Sequence, residues 1–569
     1  MWALLSLCHS CEFDYWLRHL PPDVTGPFAA RIDDAILEAF EGLTYRGAIT
    51  DHPYWIQLLQ RMRLPPRRHG CGLRSRVELA PVAYASGLVE AVEEMLGPDG
   101  FFPMLGPLFG VDEGRPLVQG DRFAVFTGRA SGAGEALEAC WRAMQDEFDE
   151  IPGGGLLSDP VSRAGLGRVG RMQHLLTDQL EERREAHLHR TMLSLSADDG
   201  ESRYIRQAWL QADRFSMQWA SSYPSEDWAI PAALFPIGVC IIMGLPLDAL
   251  RHRVGAPIPC SAPASAARGG VRHTDAYGGQ LCLATQRGDQ WRICHDGYER
   301  VLLDTLFRCG VKGVEQPATL FGGILPPRRG RRRGRRSGMI PDAMLYSVPL
   351  EADVSPRYRD ALRQLFDFKC IHGVDHECYR RRDARDVRGG AVESRALEVR
   401  RDYEALARRL DARYHAGAPA PGPVLSRLRE FPPVRGPVTG AYAEASSVVH
   451  ALAAHAADEG AARRWRRMGA RDAAEARGFL IAHIRRTWGI AGFIASAQLV
   501  AHRLETVGLT ASPRARPRAW LPPWGLRIRT TTTTHSLSSR MRYGQSCPPL
   551  RPWAPKPLGG RLRARRVSP

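Results

Sequence analysis

The sequence predicts a mixed fold: a mainly helical, multi-domain chain with one small α/β domain and a disordered C-terminal tail. Its 569 residues and 63.2 kDa exceed what one hydrophobic core usually holds, which suggests about three or four domains. Apolar residues recur at helical spacing over most of the length. Between about residues 312 and 415, short apolar runs are followed by a long helix, which is the order of a small α/β unit.

Helices are predicted over much of the first 200 residues. Apolar positions at helical spacing indicate helices within 29–40 and 82–96, and a third helix is expected near 134–148. Between the first two lies the loop 64–75, whose Pro, Gly and Arg residues suit contact with a phosphate backbone. A long charged helix is predicted over 168–195, where mixed charges at i, i+4 spacing indicate a solvated face.

One apolar stretch raises the question of a membrane. Residues 229–247 carry no charged side chain over nineteen residues, which is the length of a membrane helix. They also contain three prolines and two glycines, which would leave backbone groups unpaired in lipid. We therefore expect a buried helical hairpin or core segment and no membrane partner. Residues 255–270, rich in Pro, Ala, Ser and Gly, are expected to form a linker.

The α/β unit is predicted from five elements. Residues 298–307 read as a helix, and 318–325 are strand-like. Two short apolar strands are predicted within 339–348 and 365–371, and a long helix within 393–413. The two strands and the helix that follows supply a sheet with a supporting helix.

The remainder of the chain is predicted to be helical and then disordered. Residues 422–457 and 463–489 read as a small helical bundle with basic faces and without a catalytic set. The tail from about 512 to 569 is rich in Pro and Arg and is expected to be disordered.

Charge and cysteine usage narrow the class of partner. A net charge of +17 and a pI near 9.7 favour binding to a polyanion, of which nucleic acid is the commonest. A base-composition bias toward arginine is an alternative source of this charge, because only three of the 78 basic residues are lysine. The 12 cysteines follow no disulfide spacing, and the chain start lacks the features of a secretory signal. We expect a reducing, intracellular and nuclear location.

One of the three lysines suggests a chemistry. Lys369 stands two residues after Asp367, and Asp367 stands twenty-five residues after Asp342 of the Pro341-Asp342 pair. This pairing has the form of the PD-(D/E)xK signature of metal-dependent nucleases. If the two strands are neighbours, Asp342 and Asp367 converge on one Mg²⁺ or Mn²⁺ ion, and Lys369 points the same way as Asp367 because strand side chains alternate. Lys369 would then orient or deprotonate the attacking water, or stabilise the transition state. A chance placement of one lysine is the alternative.

Further residues are assigned to the same site. Glu315 is a candidate third acid, with a surface turn as the alternative, and Tyr379 and Arg380 are candidates for contact with the scissile strand. A basic loop next to the site is expected to clamp DNA phosphates, to serve as a nuclear import signal, or to be only a solvated loop. Its seven arginines are Arg328, Arg329, Arg331, Arg332, Arg333, Arg335 and Arg336.

Zinc is a second cofactor that the sequence signals weakly. The candidate ligands share loose spacing without a CxxC pair among them: Cys260, His273, Cys282, Cys294 and His295. Cys8 and Cys11 do form a CxxC pair, but they lie in an apolar helical stretch, where core packing is the better account.

Several separated strings together resemble one family. In chain order they resemble the thumb side, linker, knuckle-like region and restriction-like endonuclease of LINE-like non-LTR retroelement reverse transcriptase polyproteins. The strings are CEFDYWLRHLPP, LPPRRHGCGLRS, QWASSYPSEDW with LFPIGVCIIMGLPL, DAYGGQ with CHD, and PDAML with DFKCIHG. The resemblance covers roughly residues 1 to 415 and implies a nuclease that nicks chromosomal DNA so that the freed 3′ end primes reverse transcription.

The resemblance divides the first 415 residues into a helical thumb-like segment over 1–96, a helical linker region over 97–258, a degraded knuckle-like region over 259–311 and a restriction-like endonuclease domain over 312–415. Beyond it, periodicity and composition predict a helical C-terminal domain over 416–508 and a disordered basic tail over 509–569.

Two departures from the family pattern stand out. No Tyr-x-Asp-Asp string of a polymerase palm is present, and the pairs Asp33-Asp34 and Asp198-Asp199 lie in the wrong apolar context, so the polymerase core is missing. The knuckle is incomplete as well, because Gln280 and a displaced Cys282 stand where the family has histidine and cysteine.

Three hypotheses follow. The first is a divalent-metal-dependent, nicking DNA endonuclease of retroelement origin that lacks the polymerase core. The second is a non-catalytic remnant that binds DNA, with element RNA as a further candidate partner. The third is a protein whose basic character is compositional only.

Overall fold

The chain is mainly helical, as the apolar periodicity predicts. A computed structural model describes residues 13–45, 47–96, 172–222, 228–258, 272–284, 290–317, 319–321, 340–349, 355, 358, 362–414 and 423–509. The helix expected near 134–148, the basic loop with its seven arginines, and the tail from 512 lie outside these residues.

Sixteen helices are described within those ranges. They are α1 Asp14–His19, α2 Pro22–Leu43, α3 Trp55–Arg63, α4 Arg76–Leu96, α5 Met172–Ser194, α6 Gly200–Gln211, α7 Phe235–Met243, α8 Asp248–Arg251, α9 Gly279–Leu283, α10 Gln290–Cys309, α11 Glu377–Arg380, α12 Arg382–Arg385, α13 Gly390–Tyr414, α14 Pro423–Leu428, α15 Ser447–Arg464 and α16 Ala473–Thr506.

Five short strands form the β-structure of the described chain. They are β1 Gly313–Glu315, β2 Ala343–Tyr346, β3 Arg363–Phe366, β4 Lys369–Cys370 and β5 Val438–Thr439. β2 pairs antiparallel with β1 on one side and with β3 on the other, whereas β4 and β5 pair in parallel. Backbone bonds from Asp367 N to Arg435 O and from Lys369 N to Pro437 O, both 3.0 Å, join β3, β4 and the segment before β5.

In chain order the α/β unit therefore consists of α10, the antiparallel strands β1 to β3, strand β4, the helix α13 and the strand β5, which pairs with β4 in parallel. α10 precedes β1, and α13 connects β4 to β5, as a parallel pair requires. The strand predicted within 339–348 contains β2. The one predicted within 365–371 overlaps the end of β3 and contains β4, and these two strands belong to different sheets. The strand-like segment 318–325 is a wrong assignment where it is described, because 319–321 form a turn. The third strand is β1 instead, and Gln316, the residue after it, has a φ of 43°.

Alternating side chains bury both faces of the sheet. Leu345 and Phe366 pack into a core cluster with Leu302 of α10 and Trp488 of α16. Leu365, the neighbour of Phe366 in β3, packs into a second cluster on the other face of the sheet, against the buried side chains of α13 and against α14. A period of two is what sends neighbouring strand residues to opposite faces. The sheet is thus held between helical layers.

The described residues belong to one compact unit. They lie between 13 and 509, within the first of the two units into which the chain divides. One hydrophobic cluster joins Phe40 of α2, Trp209 of α6, Val239 of α7, Val392 of α13 and Phe493 of α16. This cluster takes residues from several of the expected segments, and the boundaries at 96, 258, 311 and 415 stay predictions.

Two expectations about charged and apolar segments change. In the loop 64–75, Arg67 and Arg68 form ion pairs with Glu181 and Glu185 of α5 at 2.6 and 3.2 Å; the Arg67 side chain stays 46% exposed, whereas that of Arg68 is 17% exposed. The charged helix predicted over 168–195 is thus an internal contact and not only a solvated face. These charge pairs bind the loop to α5.

The uncharged stretch 229–247 contains α7, whose C-terminal end lies at Gly244 with a φ of 74°. Val239 and Met243 of α7 are buried in the main core cluster. Among the described helices, none combines the length and apolarity that a bilayer crossing requires. The stretch is a core segment with one helix in place of a hairpin.

Candidate active site

Two neighbouring strands bring the carboxylates of the signature together. Asp342 directly precedes β2, and Asp367 directly follows β3, in the register that pairs Ala343 with Phe366. The Oδ2 atom of Asp342 accepts a hydrogen bond of 2.8 Å from the backbone amide of Phe368. The two acids therefore lie side by side at one end of the antiparallel sheet.

Lys369 completes this arrangement. Its ammonium forms an ion pair with Oδ2 of Asp367 and donates a 3.2 Å hydrogen bond to the carbonyl oxygen of Phe368. Asp367 is 6% exposed, whereas 31% of the Lys369 side chain is exposed. An ammonium has three donors, of which these contacts use two. The third donor and the exposed part of the side chain leave Lys369 accessible to a substrate.

Asp367 is fixed from the helical side as well. Tyr403 of α13 donates a 3.0 Å hydrogen bond to Oδ1 of Asp367. Tyr403 belongs to a buried stripe of α13 with Val399 and Ala407, at the i, i+4 spacing of one helix face. The packing of this helix against the sheet thus orients one carboxylate of the site.

α10 adds two residues that the sequence reasoning did not place here. His295 Nε2 lies 2.9 Å from the carbonyl oxygen of Phe368, which can only accept, so this nitrogen carries the proton. Glu299, one helical turn later, is 9% exposed. Ligand atoms of His295, Glu299 and Asp342 lie within 4.8 Å of one another. The sequence predicts His295 only as a zinc candidate and does not predict Glu299 as a site residue.

A sequence signal for these two residues exists in retrospect. His295 and Glu299 stand four residues apart on a helix whose Leu302 and Leu306 pack into the core. Side chains at i and i+4 lie on one helix face. The spacing alone is common, so its meaning depends on knowing that α10 crosses the end of the sheet that carries Asp342.

Burial and like charges raise the affinity of this cluster for protons. Burial is the main cause that raises the pKa of Asp342 to about 6, and the nearby Asp367 adds to it, while Lys369 and His295 oppose the rise. The pKa of Glu299 rises to about 7, first through burial and then through Asp342. Half-buried carboxylates with raised pKa values are typical of functional sites.

Glu315 lies beside the cluster. It ends β1 directly opposite Ala343, the residue after Asp342, and its side chain is exposed. Its charge contributes to the raised pKa of Glu299. The structure therefore places Glu315 at the same end of the sheet, on the solvent side.

The residues present fit a divalent cation. Glu299, Asp342 and Asp367 concentrate negative charge in a partly buried space, where one ammonium and one imidazole stand against them. Carboxylate oxygens are the ligands that Mg²⁺ and Mn²⁺ prefer. Glu299, Asp342 and His295 have ligand atoms close enough to hold such an ion, whereas both carboxylate oxygens of Asp367, the other expected ligand, contact Tyr403 and Lys369. His295 would be better suited to Mn²⁺ than to Mg²⁺.

Two residues assigned to the scissile strand do not face the site. Tyr379 is 3% exposed, and its hydroxyl donates to Glu444 Oε1 at 2.6 Å and accepts from Ala441 N at 2.7 Å. A tyrosine with these buried partners is unavailable to DNA, so that assignment is wrong. Arg380 is half-exposed and lies 3.2 Å from Asp375, which places it in a different cluster.

The described zinc candidates do not assemble. Burial raises the pKa of Cys282 and of Cys294 to about 12, which disfavours the thiolate that zinc requires. Among the described residues, the one group of three close ligand atoms is that of His295, Glu299 and Asp342. Cys260 lies outside the described residues.

Comparison with known proteins adds no assignment. No protein-family model matches the chain, and no curated protein matches it. The assignment of a function therefore depends on the geometry of this site.

Proposed function

We propose that this chain is a divalent-metal-dependent DNA endonuclease of retroelement origin. The observation that carries the proposal is the meeting of Asp342, Asp367 and Lys369 at one end of a sheet, with Glu299 from α10 beside them. The order of helices and strands around these residues, in which α13 braces Asp367 and α10 supplies Glu299, also supports it.

The residues have distinct parts in phosphodiester hydrolysis. A bound Mg²⁺ or Mn²⁺ ion would neutralise the phosphate charge and polarise the phosphorus–oxygen bond. Lys369 is placed to orient a water molecule or to stabilise a phosphate oxygen with its remaining donor. As the water oxygen bonds to phosphorus and releases a proton, the bond to one sugar oxygen breaks, and that oxygen takes up a proton.

The substrate class follows from charge and from the resemblance. A net charge of +17 favours a nucleic-acid duplex over a small phosphodiester. The order of strings shared with non-LTR retroelement proteins favours nicking of chromosomal DNA, and hence action in the nucleus. The basic loop would add phosphate contacts next to the site.

A nicking assay tests this function. The protein is incubated with supercoiled plasmid and Mg²⁺ or Mn²⁺, beside Asp367→Asn, Asp342→Asn and a control, Asp402→Asn, at an aspartate on α13 that is 62% exposed. Parent and control are expected to convert the plasmid to open circles, and the two site variants are expected not to. If the parent protein binds the plasmid without nicking it, the endonuclease proposal is wrong, and the non-catalytic nucleic-acid-binding remnant is the remaining hypothesis.

A further inference from the structure

Four arginines line a cavity that the proposed nuclease does not use. The cavity has a volume of about 190 Å³ and lies between α6 and the short helices α11 and α12. Its cationic residues are Arg203, Arg206, Arg380 and Arg385, and Asp198 is the one acid among the residues that line it.

Two carboxylates neutralise only part of the positive charge of these four arginines. Asp375, whose side chain is 2% exposed, lies 2.6 Å from Arg203 and 3.2 Å from Arg380. Asp386 lies 2.6 Å from Arg206 and 3.4 Å from Arg385. Each carboxylate thus serves two guanidinium groups. Because arginine stays protonated, the cluster keeps an excess of positive charge.

The one acid on the cavity wall changes this balance little. Asp198 lies 3.6 Å from Arg385, and 90% of its side chain is exposed. An exposed ion pair is screened by water and contributes little. The positive excess therefore faces the cavity.

Some of the donors in this cluster are buried without a partner. Arg206 is 8% exposed; its terminal nitrogens donate to the carbonyl oxygens of Leu193 and Leu195 and to Asp386. The Nε atoms of Arg206 and Arg203 are buried and have no hydrogen-bond partner within the described chain. A buried donor without a partner destabilises the folded protein, and an anionic acceptor in the cavity would offset this cost.

We propose that this cavity binds a phosphate group. Guanidinium forks match the oxygen geometry of phosphate, and several forks around one concave space favour a tetrahedral anion with many acceptors. The phosphate could come from the backbone of a nucleic acid or from free inorganic phosphate. This site is separate from the metal cluster, and its occupancy requires neither a cation nor hydrolysis.

The test measures binding in EDTA, where no cutting is expected. The probes are a fluorescein-labelled single-stranded DNA oligonucleotide, followed by anisotropy over a salt series, and inorganic phosphate, followed by calorimetry. The variant is Arg380→Gln with Arg385→Gln, at side chains that are 51% and 32% exposed. The matched control is Arg400→Gln with Arg408→Gln, at side chains that are 53% and 60% exposed on α13.

A nucleic-acid ligand predicts a loss of oligonucleotide affinity of about tenfold in the variant and a salt slope smaller by about one to two, with the control unchanged. A free-phosphate ligand predicts that the variant loses the calorimetric signal while its oligonucleotide affinity stays. Parent-like binding of both probes by the variant overturns the proposal.

A second measurement needs no variant. Phenylglyoxal modifies accessible arginines, and mass spectrometry reads the extent at each position. Oligonucleotide or phosphate is expected to protect Arg380 and Arg385 in the parent protein and to leave Arg400 and Arg408 as reactive as before. Equal modification with and without both anions would count against the site even if the double variant failed to fold.

Discussion

The carboxylate of Asp342 accepts a 2.8 Å hydrogen bond from the backbone amide of Phe368, the residue between Asp367 and Lys369. This bond ties the end of β2 to the segment that carries the other two signature residues. A slip of one residue between β2 and β3 would send Asp367 and Lys369 to the opposite face of the sheet. The pairing register is therefore what assembles the cluster.

Lys369→Ala is expected to lower the nicking rate about 10²- to 10³-fold, because it removes the one ammonium placed against Asp367. Lys369→Arg is expected to restore little, since a planar guanidinium does not take the place of a compact ammonium. Lys312→Ala serves as the control at an exposed lysine before β1. Plasmid nicking rates measure all three, and full activity of Lys369→Ala would remove this residue from the mechanism.

Glu299→Gln is expected to stabilise the protein in EDTA and to weaken its response to Mn²⁺. The side chain is 9% exposed and lies in a cluster with Asp342, where like charges repel without a cation. Thermal unfolding with EDTA and with Mn²⁺ measures both effects, and Asp304→Asn, at a half-exposed residue of the same helix, is the control. A Mn²⁺ shift as large as that of the parent would show that Glu299 is not a ligand.

Part of this site is readable from the sequence, and part is not. The spacing Asp367-x-Lys369 predicts that both side chains share one face if the chain there is extended. The apolar runs predict the strands that carry Ala343 and Phe366. Glu299 belongs to a helix whose apolar positions predict burial, but periodicity gives no information about which sheet end the helix crosses. Its position depends on the packing of α10 against α15 and α16, which involves residues more than 140 positions away.

The same limit explains the errors elsewhere. β1 has three residues, too few for an alternating pattern to be distinguished from a turn. Tyr379 follows the site in sequence, but its hydroxyl is buried against Glu444, sixty-five residues later. Local sequence spacing predicts helices, strands and the side of each that a residue lies on. Contacts between residues far apart in sequence decide which polar side chains are buried.

Glu185→Gln is expected to lower the free energy of unfolding by about 1 to 2 kcal/mol. Its carboxylate, 21% exposed, lies 3.2 Å from Arg68 and 3.1 Å from Arg388 and so joins three distant parts of the chain. Glu182→Gln is the control on the same helix, at a side chain that is 70% exposed, and should change stability by less than about 0.5 kcal/mol. Urea unfolding measures both variants, and equal effects would contradict an internal role for this ion-pair cluster.

Gly238→Ala is expected to destabilise the core by about 1 to 3 kcal/mol. A Cβ atom there would overlap with the ring of Phe493, which is fully buried, so α7 and α16 would have to separate. Gly478→Ala, on α16, meets nothing within 4 Å and is expected to stabilise by up to about 1 kcal/mol through helix propensity. Thermal unfolding distinguishes the two, and a neutral Gly238→Ala would contradict the close approach of the helices.

Glu444 gives the stability a pH dependence whose sign can be worked out. The side chain is fully buried and accepts hydrogen bonds from the Tyr379 hydroxyl at 2.6 Å and the Tyr442 amide at 2.9 Å. Burial is the main cause that raises its pKa from 4.5 to about 8. The folded state thus keeps a proton that the unfolded chain releases, so this contribution is fully present below pH 4.5 and is lost as the pH rises to about 8.

Glu444→Gln is therefore expected to remove this part of the pH dependence, because the amide stays neutral and keeps the size of the protonated acid. Urea unfolding of parent and variant across the interval from pH 4.5 to 8 provides the measurement. The parent should lose stability relative to the variant as the pH rises, since only the parent must bury a charge or hold a proton against the solvent. Parallel profiles would mean that Glu444 is already ionised in the folded protein, and that Tyr379 and Tyr442 stabilise the carboxylate more than burial destabilises it.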